Sequence, residues 1–211
     1  MATTRSYQNF CNGVTRDVRQ HPRDARLDAE AFPQRPTVAC QGIEGANSQI
    51  ACDSLFKAPT ILYFNTFEHV FKAVESGMCQ YGILPIENST AGSVNAIYDL
   101  MTRHNFYIVR SVRLKVEHNL LAKHGVKLED VREVLSHGQA LSQCENFLAG
   151  LKNVKATVVE NTAVAARTVA AERNDLAALS SRFCSEEYGL NISSSHVQDQ
   201  DNNYTRFICI S

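Results

Sequence analysis

The sequence predicts a two-lobed α/β protein, with mostly parallel sheets and a ligand cleft between the lobes. Three observations lead there. From Thr37 onward, short β-like runs alternate with stretches of helical period, which is the texture of βαβ units. The stretch from Phe106 to Ala122 stays strand-like well beyond the usual length of roughly five or six residues, long enough to leave one lobe and enter another. The chain then closes on a polar stretch, ISSSHVQDQDNNYTRF, followed by the apolar residues Ile208, Cys209 and Ile210. A trailing terminus is usually loose and polar, so this ending predicts a return crossing and a last strand clamped into the first lobe. Lobe 1 is then expected at about residues 37–112 plus 197–211, and lobe 2 at about 113–196.

Taken in order, residues 1–36 are polar, alternate in charge and include the proline-rich HPRDARLDAEAFPQRP, and they read as a leader or linker. The expected strands are VAC, TILYF, YGILPI, FYIVRSVRLKV, VREVLS, KATVVE, LAALSS and TRFICI. Between them, Phe67, Val70, Phe71 and Val74 recur at helical spacing before a stop at Gly77, and Val94, Ile97, Tyr98 and Met101 repeat the pattern. Leu141, Cys144 and Leu148 predict one more helix, ended by Gly150.

A net charge of -1, from 21 basic and 22 acidic residues, offers no global field to gather nucleic acid or an anionic membrane. No apolar run approaches the roughly eighteen residues of a membrane span, and the N-terminus has no apolar signal core. The expectation is a soluble cytoplasmic protein with a small-molecule or protein partner. The cysteines Cys11, Cys40, Cys52, Cys79, Cys144, Cys184 and Cys209 form no C-x-x-C pair, and most fall in apolar periodic segments where Cys acts as a small hydrophobe. The histidines are as scattered, so neither metal nor cofactor is expected. A serine or cysteine hydrolase would lack its G-x-S-x-G elbow.

In open α/β sheets, ligands sit beyond the carboxyl ends of strands, where helix N-termini point their N–H groups outward. Four turns occupy such places: Glu87-Asn88-Ser89-Thr90-Ala91-Gly92, His137-Gly138-Gln139-Ala140, Asn161-Thr162-Ala163 and Ser180-Ser181. Helix capping alone explains small polar residues there, at about 1 kcal/mol each. It explains less well why the turns are so rich in amides and hydroxyls and so poor in charge, a composition suited to a compact anion such as a carboxylate.

The segments ILPIENSTAGSV, LSHGQALSQCENFL, ENTAVAARTVA, LAALSSRFCSEEYGLNI and NNYTRF, in this order, resemble the prephenate dehydratase catalytic domain, and CQGIEGANSQIAC resembles a degraded copy of that family's first glycine turn. The resemblance spans residues 37–211 and implies a periplasmic-binding-protein-like (type II) architecture with an interlobe active site. It implies the decarboxylating dehydration of prephenate to phenylpyruvate, in phenylalanine biosynthesis, without a cofactor. The family's phenylalanine-sensing ACT domain does not follow the TRF strand, and TTRSYQNF resembles the end of a fused chorismate mutase. A catalytic domain alone, natural or excised, is therefore expected, and a homodimer is compatible with it. The chain departs from the family at Gly138, where proline is usual, and at Asn47, where an aromatic is usual; altered loop geometry is expected at both.

On a strand Thr205 and Phe207 share one face, so Thr205 can present its hydroxyl, and Phe207 an apolar floor, to the same ring. Thr205 is assigned donation to the leaving hydroxyl, or relay from a stronger acid, for which His137 and Glu87 are the candidates. His137 could instead orient its turn, and Glu87 could pair with Arg206, which is placed with the substrate contacts at the rim. Asn88, Ser89, Gln139, Thr162 and Ser180 are placed around the substrate carboxylates. The alternative from another class is a two-lobed binding module that closes on a small carboxylate without chemistry.

Overall fold

The computed structural model describes Pro33 and residues 35–211; the expected leader and the mutase-like TTRSYQNF lie outside the described residues, except for Pro33, Arg35 and Pro36 of the leader. In chain order the strands are β1 (Thr37–Gln41), β2 (Thr60–Phe64), β3 (Tyr81–Asn88), β4 (Gly92–Ser93), β5 (Ile108–Lys115), β6 (Asn119–Ala122), β7 (Glu133–Ser136), β8 (Lys155–Val158), β9 (Leu176–Ser180), β10 (Asn191–Ser194) and β11 (Tyr204–Ile210). The helices are α1 (Asn47–Leu55), α2 (Phe67–Glu75), α3 (Asn95–Met101), α4 (Gly138–Ser142), α5 (Glu145–Ala149), α6 (Thr162–Ala171) and α7 (Arg182–Glu187). One sheet runs β2-β1-β3-β11-β5, with β4 on β3, and the other runs β10-β6-β9-β7-β8.

The chain passes between the sheets twice: outward from β5 to β6, and back from β10 to β11. The terminal strand lies between β3 and β5, with Ile208, Cys209 and Ile210 buried. The long outward strand is interrupted at residues 116–118, because the backbone there turns to the return segment: Val116 N–H donates to Asn203 O at 2.9 Å and His118 N–H to Gln198 Oε1 at 3.0 Å.

The expectation of mostly parallel sheets is corrected. β1 pairs in parallel with β2 and β3, and β7 with β8 and β9. The strands on either side of the crossings, β5, β6, β10 and β11, pair antiparallel. A crossing that enters a second sheet directly has no helix to carry it back to a parallel start, so its strand meets its neighbour antiparallel.

Helix α2 forms as its spacing predicts. Thr66 caps it, accepting from His69 N–H at 3.3 Å, and Val70, Phe71 and Ala73 are buried against the first sheet. The single helix expected from Leu141 to Leu148 is instead two, α4 and α5, broken at Cys144. Tertiary contacts outweigh the local period here. The return segment's Asp199 N–H takes the Gln143 carbonyl at 2.7 Å, and the Asp199 carboxylate lies 3.3 Å from Asn146 N, at the start of α5.

A bulge in β3 determines what faces the cleft. Phe207 pairs with Pro85, Arg206 with Glu87 and Thr205 with Asn88, leaving Ile86 as the extra residue. Pro85 has no N–H to give to β11, and a bulge is where a sheet tolerates that loss. The inserted residue reverses the side-chain alternation, so Pro85 and Asn88, three positions apart, both face the cleft.

Across the cleft, the turn between β1 and α1 docks on the second lobe. Ala46 and Ile43 pack with Leu121, Ala163 and Cys184. The Cys184 thiol donates to Gly45 O at 3.3 Å, and the Tyr188 hydroxyl donates to Glu44 O. Gly45 has φ +85°, and a Cβ there would lie 2.8 Å from Cys184 Sγ. Gly45→Ala should therefore cost about 1–2 kcal/mol from backbone strain alone and lower Tm by several degrees. Adding Cys184→Ala should recover part of that loss in thermal unfolding; strictly additive effects would show that the two sites are not in contact.

Candidate active site

Between the sheets lies a cavity of about 480 Å³. Its floor and one wall carry Thr205, Phe207, Asn88 and Pro85 from the first sheet, and the opposite wall carries His137, Gln139, Gln143, Asn161 and Thr162 from the second lobe. Gln41, Asn47 and Ser48 close one side and His118 and Asn203, on the crossings, close another. Among the described residues, no lysine or arginine lines it.

Asn88 organises the site. Its Oδ1 accepts from Thr90 N–H at 3.0 Å, Ala91 N–H at 2.9 Å, the Thr90 hydroxyl at 2.7 Å and Gln139 Nε2 at 3.2 Å. Backbone N–H groups can only donate, so the amide orientation follows from them. Nδ2 must then point the other way, where it donates to Asn203 Oδ1 at 2.8 Å and to Thr205 Oγ1 at 2.9 Å. Thr205 Oγ1 is thus an acceptor toward Asn88, and among the described residues nothing accepts its own proton. That O–H is free for a ligand in the cavity, although Thr205 is only 9% exposed.

The remaining bonds close a ring. Asn203 Nδ2 donates to Gln143 Oε1 at 3.0 Å, Gln143 Nε2 donates to Thr90 Oγ1, and Thr90 returns to Asn88. His118 Nε2 lies 3.0 Å from the same Gln143 Oε1. Because that oxygen only accepts, Nε2 carries the proton. Burial holds the His118 pKa below the usual histidine value, and the bond to Gln143 offsets this in part, so His118 is a neutral donor.

The expected site residues divide into two groups. Thr205, Phe207, Asn88, His137, Gln139 and Thr162 line the cavity. Glu87 and Arg206 do not: they are paired in register on the exposed face of the sheet, Glu87 Oε2 lying 3.9 Å from Arg206 Nε. Ser89 also points away, donating to Asn202 O at 2.7 Å and accepting from Tyr204 N–H at 2.9 Å, which clips the β3 turn to the return segment. Ser180 is fully buried behind the wall, where its hydroxyl donates to Thr162 O at 2.9 Å. Both family departures are accommodated: Asn47 becomes part of the cavity wall, and a Cβ at Gly138 would meet nothing closer than Val158 at 3.8 Å.

Sequence reasoning misses Asn203, Gln143, His118 and Glu160 as cavity residues, and names Asn161, which also lines the cavity, only within its turn. Two had usable signals. Asn203 lies two positions before Thr205 and so shares its face, and Gln143 lies one helical turn beyond Gln139.

The described cysteines are all buried. Burial pushes the thiols of Cys144 and Cys209 up to about 12, which leaves neither as a nucleophile. Neither cavity histidine is hydrogen-bonded to a hydroxyl: His118 meets Gln143, and His137 Nδ1 accepts from Gln139 N–H at 3.3 Å. Among the described residues, no group of three or more His, Cys, Asp or Glu could hold a metal ion.

The sequence model of the family described as prephenate dehydratase matches residues 38–211. The "Arogenate dehydratase/prephenate dehydratase 2, chloroplastic" of Arabidopsis thaliana is 45% identical over 178 residues, covering 84% of this chain and 46% of that protein. The chain thus spans about half the length of such relatives. Among solved structures, the prephenate dehydratase of Arthrobacter aurescens in complex with L-Phe superposes with a TM-score of 0.77 at 26% identity, covering 83% of this chain and 60% of that one. A structure described as GqqA, a quorum-quenching acylase, superposes with a TM-score of 0.75 at 34% identity, covering 83% of this chain and 63% of that one.

A lowered His118 pKa has a pH consequence. The unfolded chain binds the imidazole proton more tightly than the folded one, so stability is full above the unfolded value near 6.5 and is lost as pH falls below it. Thermal unfolding should show Tm declining as pH drops from 7.5 to 5, with a shallower decline for His118→Gln. Identical slopes for the two proteins would show that His118 does not carry this dependence.

Proposed function

This chain belongs to the prephenate dehydratase family, and we propose that it catalyses the decarboxylating dehydration of prephenate to phenylpyruvate. The observation that carries the reading is the Thr205 hydroxyl, oriented by Asn88 with its proton free toward the cavity and with Phe207 on the same strand face.

In this reaction the bond between ring and carboxylate breaks, and its electron pair enters the ring. The bond to the ring hydroxyl breaks across from it, the departing oxygen takes up one proton, and carbon dioxide and water leave an aromatic product. Aromatisation drives the step, and no redox partner is consumed. The protein must stabilise charge developing on the leaving oxygen, anchor the pyruvyl side chain and hold the ring.

Thr205 supports the first task, as a fixed donor aimed where charge appears. An alcohol is too weak an acid to surrender its proton outright, so the proton that completes water needs another source. His137 lies at the exposed mouth with its Nδ1 accepting from Gln139 N–H, which makes the ring a neutral hydrogen-bond donor through Nε2–H that can orient solvent there, and solvent supplies the proton. Asn161 and Thr162, at the start of α6, present donors and the positive end of a helix to the side-chain carboxylate. With no lysine or arginine among the described residues of the wall, none of them offers the ring carboxylate a lysine or arginine cation to hold it in place, which favours its departure.

Thr205→Ala should lower kcat by about a hundredfold with KM changed only a fewfold, because the lost bond acts mainly on the transition state. Thr205→Ser should keep much more activity. The assay follows phenylpyruvate as its enolate in alkali; a near-normal kcat for the alanine protein would remove Thr205 from the chemistry. Stabilisation by prephenate without any product would instead favour the binding module.

A further inference from the structure

Asn203 stands on the return crossing, where the first sheet, the second lobe and the outward crossing meet, and it is 2% exposed. Its Oδ1 accepts from Asn88 Nδ2 at 2.8 Å, its Nδ2 donates to Gln143 Oε1 at 3.0 Å, and its backbone carbonyl accepts from Val116 N–H at 2.9 Å. The amide has one workable orientation. Asn88 turns its nitrogen this way, so Asn203 must offer its oxygen, and its own nitrogen then faces Gln143. The direction set by the backbone N–H groups of Thr90 and Ala91 thus passes through Asn203 into the second lobe.

An amide nitrogen carries two protons. On Asn88 one goes to Asn203 Oδ1 and the other to Thr205 Oγ1, at 2.9 Å. Two fixed acceptors brace the nitrogen from both sides, and no water is needed to satisfy it. Without Asn203, one buried proton of Asn88 loses its acceptor, a costly state that water entering the vacated space would relieve. Water accepts as well as donates, so a molecule free to move there competes with the substrate for the Thr205 proton.

We propose that Asn203 is a positioning residue: by accepting one proton of the Asn88 amide it holds the other on Thr205, and so keeps the threonine proton for the substrate. This rests on the dehydratase reading above and deepens it. Asn203 also lines the cavity and bonds to Gln143, so two other roles compete with this one. A direct substrate contact would be felt in KM, and a simple tie between the lobes would act whether or not Thr205 has its hydroxyl.

The test is kcat and KM for prephenate on the full chain carrying Asn203→Ala, Asn203→Asp, or Asn203→Ala together with Thr205→Val. Asn203→Ala should lower kcat by about tenfold with KM changed by less than about threefold, and in the Thr205→Val background it should lower kcat by less than about twofold. Asn203→Asp keeps the oxygen that Asn88 needs but sets a second acceptor against Gln143 Oε1. Its kcat should stay within about threefold of wild type while KM rises, because its charge faces an anionic substrate. Thermal unfolding identifies an alanine protein that does not fold, and the aspartate protein then decides alone. A rise in KM without loss of kcat in the alanine protein, an equal loss in the Thr205→Val background, or an aspartate protein slowed tenfold would each overturn the role of Asn203 and leave the dehydratase reading intact. Failure of the wild-type protein to form phenylpyruvate would overturn both.

Discussion

Two backbone N–H groups, those of Thr90 and Ala91, set the direction of every hydrogen bond in the cavity floor. They cannot accept, so the carbonyl end of the Asn88 amide must face them. Its donor end then faces Thr205, and the threonine proton is left for the ligand. A hydroxyl can usually rotate toward whichever acceptor is nearest. Here the amide removes that choice before substrate arrives, which is the preorganisation that electrostatic catalysis requires. The β3 bulge is the reason Asn88 is available: without the extra residue at Ile86, Asn88 and Pro85 would lie on opposite faces.

The same ring of amides ties the two lobes together. Asn88 and Thr90 follow the first sheet, Gln143 follows α4 beside the second, and Asn203 lies on the return crossing. On the far side, the Gly45 turn sits against Cys184 and Tyr188. The cleft is bridged at both edges by neutral groups. A neutral bridge adds little field of its own, so the helix ends and the ligand's own charges dominate the electrostatics inside. Burial holds the His118 pKa below the usual histidine value as well, so this bridge adds no fixed positive charge.

Much of this was legible because it depends on local pattern. Strand alternation alone puts Thr205 and Phe207 on one face, an apolar ending alone predicts a clamped last strand, and an overlong strand-like stretch and a polar stretch before the last strand suggest the crossings. What stayed hidden depends on contacts between distant segments. Cys144 sits in a convincing helical period, yet Asp199 takes the carbonyl beside it and breaks the helix. Glu87 and Ser89 sit within the motif that supplies Asn88, but the sheet turns Glu87 to Arg206 and Ser89 to the return segment. Ser180 ends a strand in a place where ligands bind, but its hydroxyl is consumed by Thr162 O. Motif membership identified the neighbourhood, and hydrogen-bond accounting separated the residues that face the cavity from those that hold it up.

If Asn88 acts through Thr205, a double-mutant cycle on kcat shows the coupling. Asn88→Asp keeps the acceptor for Thr90 and Ala91 but removes the donor to Thr205; Thr205→Val removes the hydroxyl while keeping its shape. If Asn88 works by aiming that hydroxyl, Asn88→Asp should lower kcat strongly in the wild-type background, and by less than about threefold once Thr205 is already valine. Losses that multiply in the double variant would contradict the account, because Asn88 would then contribute to the reaction independently of Thr205.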